Sequence, residues 1–140
     1  MKPKHVKAFM KTAEAFAECS VGARLKVGAA IIKDSRIISV GYNALPKHLD
    51  GPLEDENNQT LSAVRHAEKS ALMGLLRAGI SPVGATMFCT HACCYLCAVD
   101  IVDAGIVEFI YQHDYRSDLG LQHLKSCGIV VTQYIEKEIS

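Results

Sequence analysis

The sequence lacks several features that would each point to a particular class of protein. Its 140 residues contain no apolar run of the roughly 20 residues that a bilayer-spanning helix needs. The first five residues, MKPKH, lack the apolar stretch of a secretory signal. No repeat, low-complexity run or linker interrupts the chain. These absences argue against a membrane protein and predict a single cytoplasmic domain over residues 1–140.

An excess of charge of either sign is also absent. Lysine and arginine together number 15, as do aspartate and glutamate, so the formal net charge is zero. Proteins that bind long nucleic acids usually carry a basic excess, because neutralisation of phosphates dominates their affinity. The balance therefore favours a small substrate over a nucleic acid. At 49% apolar residues, the composition is that of a globular domain with a sizeable core.

Apolar residues recur with helical or strand periodicity along most of the chain. Helical spacing predicts four helices, over residues 4–19, 61–76, 94–104 and 119–126. β-Rich runs predict five strands, over residues 27–32, 37–42, 85–90, 106–111 and 129–134. Between the second strand and second helix, residues 44–59 are predicted to form a long loop. The order predicts an α/β fold of three layers, a mixed five-stranded sheet with helices on both faces.

The clearest chemistry lies in one histidine, one glutamate and two cysteines. His66 and Glu68 are separated by one residue, and Cys94 and Cys97 by two. One imidazole and two thiolates fill three of zinc's four tetrahedral positions, whereas a structural zinc site takes all four ligands from protein. The pattern therefore predicts a catalytic Zn²⁺ site with one position open to water, and Glu68 as the group that moves protons.

The predicted helices suggest how these residues meet. Cys94 and Cys97 stand in the first turn of one helix, where free N–H groups favour the thiolate form. His66 is expected early in the preceding helix. Residues two apart do not face the same way on a regular helix, so Glu68 is expected to approach the site from the side rather than to bind the metal.

Other arrangements of the same residues must be weighed. A closed zinc site would take Cys93 or His91 as a fourth ligand, but adjacent cysteines rarely bind one tetrahedral ion without strain. We therefore expect Cys93 to pack as a small side chain. A redox pair of cysteines would need its own βαβ context near the start of the domain. The remaining cysteines sit in apolar settings and are expected to be buried: Cys19, Cys89 and Cys127.

With these residues in hand, the chain resembles the cytidine and deoxycytidylate deaminase superfamily, most closely its deoxycytidylate (dCMP) branch. Three segments carry the resemblance: Arg24–Ile32 leading to Gly41-Tyr42-Asn43, His66-Ala67-Glu68, and Gly84–Phe88 leading to Cys94–Ala98. Two positions depart from the family. Cys93 stands where the family has proline before the first cysteine ligand, and Ser70 stands where asparagine is common.

The resemblance implies a three-layer deaminase fold and zinc-dependent hydrolysis of dCMP to dUMP and ammonia, a step in thymidylate supply. It assigns the metal to His66, Cys94 and Cys97 and the proton transfers to Glu68. The backbone of Ala67 would hydrogen-bond the pyrimidine.

The resemblance also implies contacts to the sugar and the phosphate. Asn43 would contact the sugar. Arg24 and Arg116, which follows Tyr115, would hold the 5′-phosphate through their planar forks of donors, and Lys26 could replace either arginine.

Assembly and regulation are further implications of the resemblance. Family members are usually homo-oligomers, often hexamers, and many respond to dCTP and dTTP as effectors. A single zinc is expected, since residues 44–65 hold no cysteine for the second zinc of some members. Alternative substrates are dCTP, free cytidine or deoxycytidine, and cytosine or adenine in a polynucleotide. A non-enzymatic alternative is a zinc-stabilised binding module.

Overall fold

The structure, a computed structural model, describes residues 1–136. The helices are α1 (Pro3–Ala17), α2 (Ala67–Ala78), α3 (Tyr95–Asp103) and α4 (Leu119–Ser126). The strands are β1 (Gly28–Lys33), β2 (Arg36–Tyr42), β3 (Thr86–His91), β4 (Glu108–His113) and β5 (Val130–Gln133). Within residues 1–136, no helix has the length and apolar character that crossing a bilayer requires. The order of elements is the predicted one.

The five strands form one mixed sheet in the order β2-β1-β3-β4-β5. β1 is antiparallel to both of its neighbours, whereas β3, β4 and β5 run parallel to one another. The β1–β2 hairpin turns through Asp34 and Ser35, whose φ angles are 51° and 61°. Two consecutive left-handed residues give the turn a twist that matches the flanking strands.

Side chains alternate between the two faces of the sheet, and each face is covered by helices. Ala30, Ile32 and Phe88 face one side, where they pack with Met10 and Ala13 of α1. The neighbouring residues of β1 and β3 face the other side, in a core shared with α2, α3 and α4. This three-layer arrangement confirms the predicted fold class.

The start of α2 differs from the prediction. The helix begins at Ala67 rather than at Leu61, and His66 is its N-cap, with an extended backbone at φ −68° and ψ 156°. Leu61 belongs instead to the long loop, where its N–H donates to the carbonyl of Leu53 at 2.8 Å. At the other end, Gly79 is left-handed at φ 69° and ends the helix as predicted. The loop before α2 is therefore longer than the predicted residues 44–59.

The three cysteines outside the predicted site differ in burial. Cys89 lies in the middle of β3 and is fully buried, which confirms its prediction. Cys19 and Cys127 are exposed, so their predictions were wrong. Cys127 directly follows α4 and Cys19 lies two residues after α1, so both occupy exposed turns between a helix and the next strand.

Candidate active site

Four strand termini lie together at one edge of the sheet. The parallel strands β3 and β4 end side by side, with His91 opposite His113. The antiparallel pairing brings the start of β1, at Gly28, to the end of β2, at Tyr42. Residues just beyond these strand ends line a cavity of about 560 Å³. Such an edge, outside the carboxyl ends of parallel strands, is where α/β proteins commonly bind ligands.

Most residues that the sequence predicted for the site line this single cavity: Arg24, Asn43, His66, Ala67, Glu68, Cys94, Tyr115 and Arg116. Cys97 is buried beside the lining, at 5% exposure. Lys26 is exposed and lies outside the lining. The fold thus brings together groups that are up to 92 positions apart in the sequence (Arg24 to Arg116).

The three predicted ligands form a compact cluster in which the ligand atoms all lie within 4.8 Å of one another. The Nδ1 of His66 lies 3.5 Å from the Sγ of Cys94 and 3.3 Å from the Sγ of Cys97. Bonds of about 2.3 Å to sulfur and about 2.0 Å to nitrogen separate the ligands of a tetrahedral zinc by roughly 3.5–3.8 Å. The cluster therefore fits zinc in both donor chemistry and spacing.

Two helix N-termini meet at this cluster. His66 is the N-cap of α2, and Cys94 is the N-cap of α3. Hydrogen bonds from Cys97 and then from His66 lower the pKa of the Cys94 thiol to about 4, although burial opposes the shift. The hydrogen bond to Cys94, followed by burial, raises the pKa of the Cys97 thiol. Cys94 is thus held as a thiolate, the form that binds metal.

Glu68 lies in the first turn of α2 and is 4% exposed. Burial raises the pKa of its carboxyl group. The Sγ of Cys89 donates a hydrogen bond to Oε1 of Glu68 at 3.5 Å. The pKa of the Cys89 thiol is raised well above its usual value, first by burial and then by Glu68, so Cys89 keeps its proton. The carboxylate therefore has a fixed donor on one side and the cavity on the other.

Neither proposed fourth ligand joins the cluster within residues 1–136. Cys93 is 1% exposed and belongs to the core below the sheet edge, which confirms that it packs as a small side chain. The Nδ1 of His91 lies 2.8 Å from Oγ1 of Thr90. The described residues therefore offer three donors to a metal, which leaves a tetrahedral ion one position for a water molecule.

The family pattern described as "Cytidine and deoxycytidylate deaminase zinc-binding region" matches residues 3–113. The chain belongs to this family. Its fold matches the crystal structure of the dCMP deaminase from the cyanophage S-TIM5 in complex with dCMP and dUMP, with a TM-score of 0.94 and 36% identity. That match covers 96% of this chain and 99% of the phage chain.

Curated members of the deaminase family are similar over most of this chain. The deoxycytidylate deaminase of Saccharomyces cerevisiae is 36% identical over 146 aligned positions, which cover 96% of this chain but 46% of the yeast protein. The deoxycytidylate deaminase of Mycobacterium phage D29 is 32% identical over 74% of this chain and 90% of its own length. The chain therefore spans less than half of the yeast relative and nearly all of the phage relative.

Two glycines explain how the deaminase motifs pack together. A Cβ atom on Gly41 would overlap the carbonyl of Ala67 and the N–H of Ala71, in the first turns of α2. A Cβ atom on Gly120, at the start of α4, would overlap the carbonyl oxygens of Cys93 and Cys94. Only a residue without a side chain lets these elements approach so closely. The backbone of Cys93 therefore packs against α4, while its side chain lies in the core.

Asn43 lines the cavity, but its amide group already makes structural hydrogen bonds. Oδ1 accepts from the N–H of Val27 at 2.8 Å, and Nδ2 donates to the carbonyl of Leu25 at 2.8 Å. One amide hydrogen is left for a ligand. Asn43 therefore holds the backbones of Leu25 and Val27, which line the cavity just before β1, in addition to any contact with a substrate.

Other lining residues were not predicted to belong to the open site, although His91 was considered as the fourth ligand of a closed one. His91 and Asp114 directly end or follow parallel strands, a position that could have drawn attention to them. Burial and then the nearby His113 lower the pKa of His91, whose ring centroid lies 5.1 Å from that of His113. Glu54 also lines the cavity, although residues 44–59 were predicted only as a long loop. No sequence pattern foretells the contacts that bring Glu54 there.

Proposed function

We propose that this enzyme hydrolyses dCMP to dUMP and ammonia in a single deaminase domain. Family membership supports hydrolytic deamination. The dCMP substrate is supported by the yeast and phage relatives, which are named deoxycytidylate deaminases, and by the S-TIM5 enzyme, whose structure holds dCMP and dUMP. The S-TIM5 match carries particular weight, because its 99% coverage leaves no other domain to which the activity could belong.

The observation that carries the proposal is the content of one cavity. It combines the metal-binding cluster, the buried carboxyl of Glu68 and two arginines, Arg24 and Arg116. Neither arginine forms an ion pair within residues 1–136. At about 560 Å³, the cavity lies within the usual range of small-ligand sites. A nucleotide could place its base beside the metal-binding cluster and Glu68, and its phosphate beside the two guanidinium groups.

His66, Cys94 and Cys97 would hold the zinc ion. When bound, zinc supplies Lewis-acid chemistry that lowers the pKa of a water molecule to about 7 and so provides a nucleophile at neutral pH. Glu68 takes a proton from the attacking water and delivers it to N3 of the pyrimidine. It then carries the second proton of the water to the amino group on C4, which departs as ammonia. One water is consumed, and its oxygen becomes O4 of dUMP.

The environment of Glu68 suits this double transfer. A carboxyl group that first accepts and then releases protons works best when its pKa lies near the operating pH, and burial raises the pKa of Glu68 in that direction. The Cys89 thiol holds Oε1 in place at 3.5 Å. A side-chain hydrogen bond with Cys97 also acts on the Glu68 carboxyl and lowers its pKa, by less than burial raises it.

The remaining contacts follow from the groups around the cavity. Arg24 and Arg116 would bind the 5′-phosphate, and the Arg116 guanidinium carbon lies 5.4 Å from the ring centroid of Tyr115, a cation–π contact that restrains it. The spare amide hydrogen of Asn43 would reach the sugar, and the backbone of Ala67 the base. Lys26 receives no support as a phosphate ligand, because it does not line the cavity.

Assembly, regulation and location are finer parts of the proposal. Exposed apolar side chains on α3, such as Leu96 at 75% exposure, support a homo-oligomer, with a hexamer as the favoured state. The dCTP and dTTP effectors remain predictions from the resemblance. All six cysteines are free thiols, which supports a reducing compartment such as the cytoplasm.

A substrate panel tests the proposal. Ammonia release is measured in parallel from dCMP, dCTP and deoxycytidine, with the zinc content determined on the same sample. We expect the highest kcat/KM on dCMP at one zinc per chain. Equal rates on deoxycytidine would contradict the monophosphate assignment, and zinc binding without turnover on any of the three would favour a binding module.

A further inference from the structure

The chain before β1 passes the cavity without regular secondary structure. Its backbone is fixed instead by side-chain hydrogen bonds, some of them from residues distant in the sequence. The hydroxyl of Ser20 donates to the carbonyl of Asn43 at 2.8 Å and accepts the N–H of Gly22 at 3.1 Å. Asn43 in turn bonds the backbones of Leu25 and Val27. Between these anchors lies Arg24, whose exposed side chain lines the cavity.

Glu54 fixes the backbone at Arg24 itself. Its Oε1 accepts the N–H of Ala23 at 2.8 Å and the N–H of Arg24 at 3.1 Å. One carboxylate oxygen therefore binds two consecutive amides from 30 or 31 positions away in the sequence. Hydrogen bonds to an ionised acceptor are shorter and stronger than neutral ones. The pair of bonds is an anchor rather than an incidental surface contact.

Glu54 is itself held in place by its own loop. It pairs with Thr60 in an isolated antiparallel bridge. The preceding residue, Leu53, is 2% exposed, and the following residue, Asp55, accepts the N–H groups of Asn57 and Gln59 at 2.9 Å each. Glu54 is therefore restrained on both sides, by the buried side chain of Leu53 before it and by the hydrogen-bonded turn at Asp55 after it.

Glu54 connects, by hydrogen bonds, two segments that line the cavity: residues 20–27 and the long loop before α2. Within residues 1–136, no other hydrogen bond links residues 21–26 to residues 50–60. The Glu54 carboxylate accepts hydrogen bonds from the backbone at Arg24, but within residues 1–136 it forms no ion pair with the Arg24 guanidinium group. The cationic head of Arg24 thus stays free for an anion while its backbone is held.

We propose that Glu54 is a positioning residue: it holds the backbone of Arg24 so that the guanidinium group meets the 5′-phosphate of the substrate. This inference rests on the proposed function for the identity of the substrate. It adds that binding of the phosphate depends on an acidic residue that does not touch the phosphate.

Two substitutions and a control test the inference by kinetics on the zinc-loaded full chain. Glu54→Ala removes both acceptor bonds, and we expect KM for dCMP to rise about tenfold with kcat within about twofold. The KM for deoxycytidine, which has no phosphate, should stay within about twofold. Glu54→Gln keeps a side-chain oxygen that can accept both bonds, so it should restore most of the affinity for dCMP. The neighbour Glu56 is exposed and forms no ion pair within residues 1–136, so Glu56→Ala should match the wild type.

A double-mutant cycle tests whether Glu54 acts through Arg24. If it does, Glu54→Ala in an Arg24→Ala background should leave KM for dCMP unchanged within about twofold. Additive effects would overturn the inference, because they would mean that Glu54 acts on the substrate independently of Arg24. An unchanged KM for dCMP in Glu54→Ala alone, or an equal rise for deoxycytidine, would also overturn it.

Amide hydrogen exchange separates this inference from the proposed function. In the zinc-loaded protein without substrate, the N–H groups of Ala23 and Arg24 should exchange about tenfold faster in Glu54→Ala than in the wild type or Glu54→Gln. Unchanged exchange would refute the anchor whatever the enzyme acts on. Faster exchange together with no deamination of dCMP by the wild type would leave the anchor intact and overturn the substrate instead.

Discussion

At the scale of single residues, the site depends on where a helix begins. His66 and Glu68 lie two positions apart, yet both line the same cavity. A regular helix would turn them away from each other. His66 escapes this because it is the N-cap, with extended backbone angles, whereas Glu68 lies in the first turn. The boundary of α2 thus places the two residues at one cavity, as the proposed roles of His66 in metal binding and Glu68 in proton transfer require.

Arg24 provides the residue-scale prediction. Arg24→Ala removes a guanidinium group that has no other partner in the described residues, so KM for dCMP should rise about tenfold or more while KM for deoxycytidine changes little. Steady-state kinetics on both substrates measures this. Arg36→Ala is the matched control, because Arg36 is exposed at the start of β2, away from the cavity lining. Equal effects on both substrates would remove Arg24 from the phosphate site.

The clustering of His66, Cys94 and Cys97 could be predicted at this scale, because their residue types and spacing are typical of a zinc site. The role of Asn43 could not be fully predicted. Its motif Gly41-Tyr42-Asn43 suggested a contact with the sugar, but the amide is largely engaged with the backbone of residues 25–27. Such bonds join segments that are distant in sequence, and no local pattern reports them.

At the scale of elements, close approach between backbones positions the metal ligands. α4 packs against the carbonyl groups of Cys93 and Cys94, and β2 packs against the first turns of α2, in each case at a glycine. These contacts hold the N-termini of α3 and α2 at a common point. Residues that support metal ligands from outside commonly change metal affinity about 10–100-fold when they are substituted.

Gly120 provides the prediction for this scale. Its replacement by alanine adds a Cβ atom that would overlap the carbonyl groups of Cys93 and Cys94. We expect Gly120→Ala to weaken zinc binding by about tenfold or more, measured by competition with a fluorescent chelator. Gln122→Ala, at an exposed position of the same helix, should bind zinc as the wild type does. Wild-type affinity in Gly120→Ala would show that α4 does not position Cys94.

The elements themselves were largely predictable, because apolar periodicity follows the geometry of helices and strands. The start of α2 was the main error. Leu61 and Val64 extend the helical spacing backwards, but their backbones follow the loop, where Arg65 pairs with Ala44 in an antiparallel bridge. Helical periodicity cannot distinguish a helix turn from a loop that happens to carry apolar residues at the same spacing.

At the scale of the whole molecule, the metal-binding cluster links two separate parts of the chain. His66 belongs to the N-terminus of α2, and Cys94 and Cys97 to the N-terminus of α3. Both helices cover the same face of the sheet. A metal ion bound at this junction therefore ties two helices together as well as serving chemistry, and its binding free energy adds to the free energy of unfolding.

Zinc removal is the prediction at this scale. Free zinc at a thousandfold excess over its dissociation constant adds about 4 kcal/mol to the free energy of unfolding. We therefore expect chelation to lower the melting temperature by roughly 10 °C, measured by calorimetry, and zinc but not magnesium to restore it. Cys97→Ser, which loses one thiolate, should show a much smaller response. An equal melting temperature with and without zinc would argue against a bound metal at this junction.

Which residues share the cavity could be predicted only in part, because tertiary packing decides it. The parallel order of β3 and β4 places the residues after them at one edge, as strand alternation with helices suggests. The segment before β1 and the loop that carries Glu54 reach the same edge through side-chain contacts specific to this chain. Periodicity gave no reason to place Arg24 and Arg116 at the site; that prediction came from the family resemblance.

The most direct test of the central claim is the turnover of dCMP by Glu68→Gln and wild-type protein at equal zinc content. The account predicts one zinc per chain in both proteins, and a kcat about 10²–10⁴-fold lower in the variant, because only proton transfer has been removed. A variant that retains zinc and deaminates dCMP at the wild-type rate would contradict the account, since the buried carboxylate at residue 68 would then play no part in the reaction.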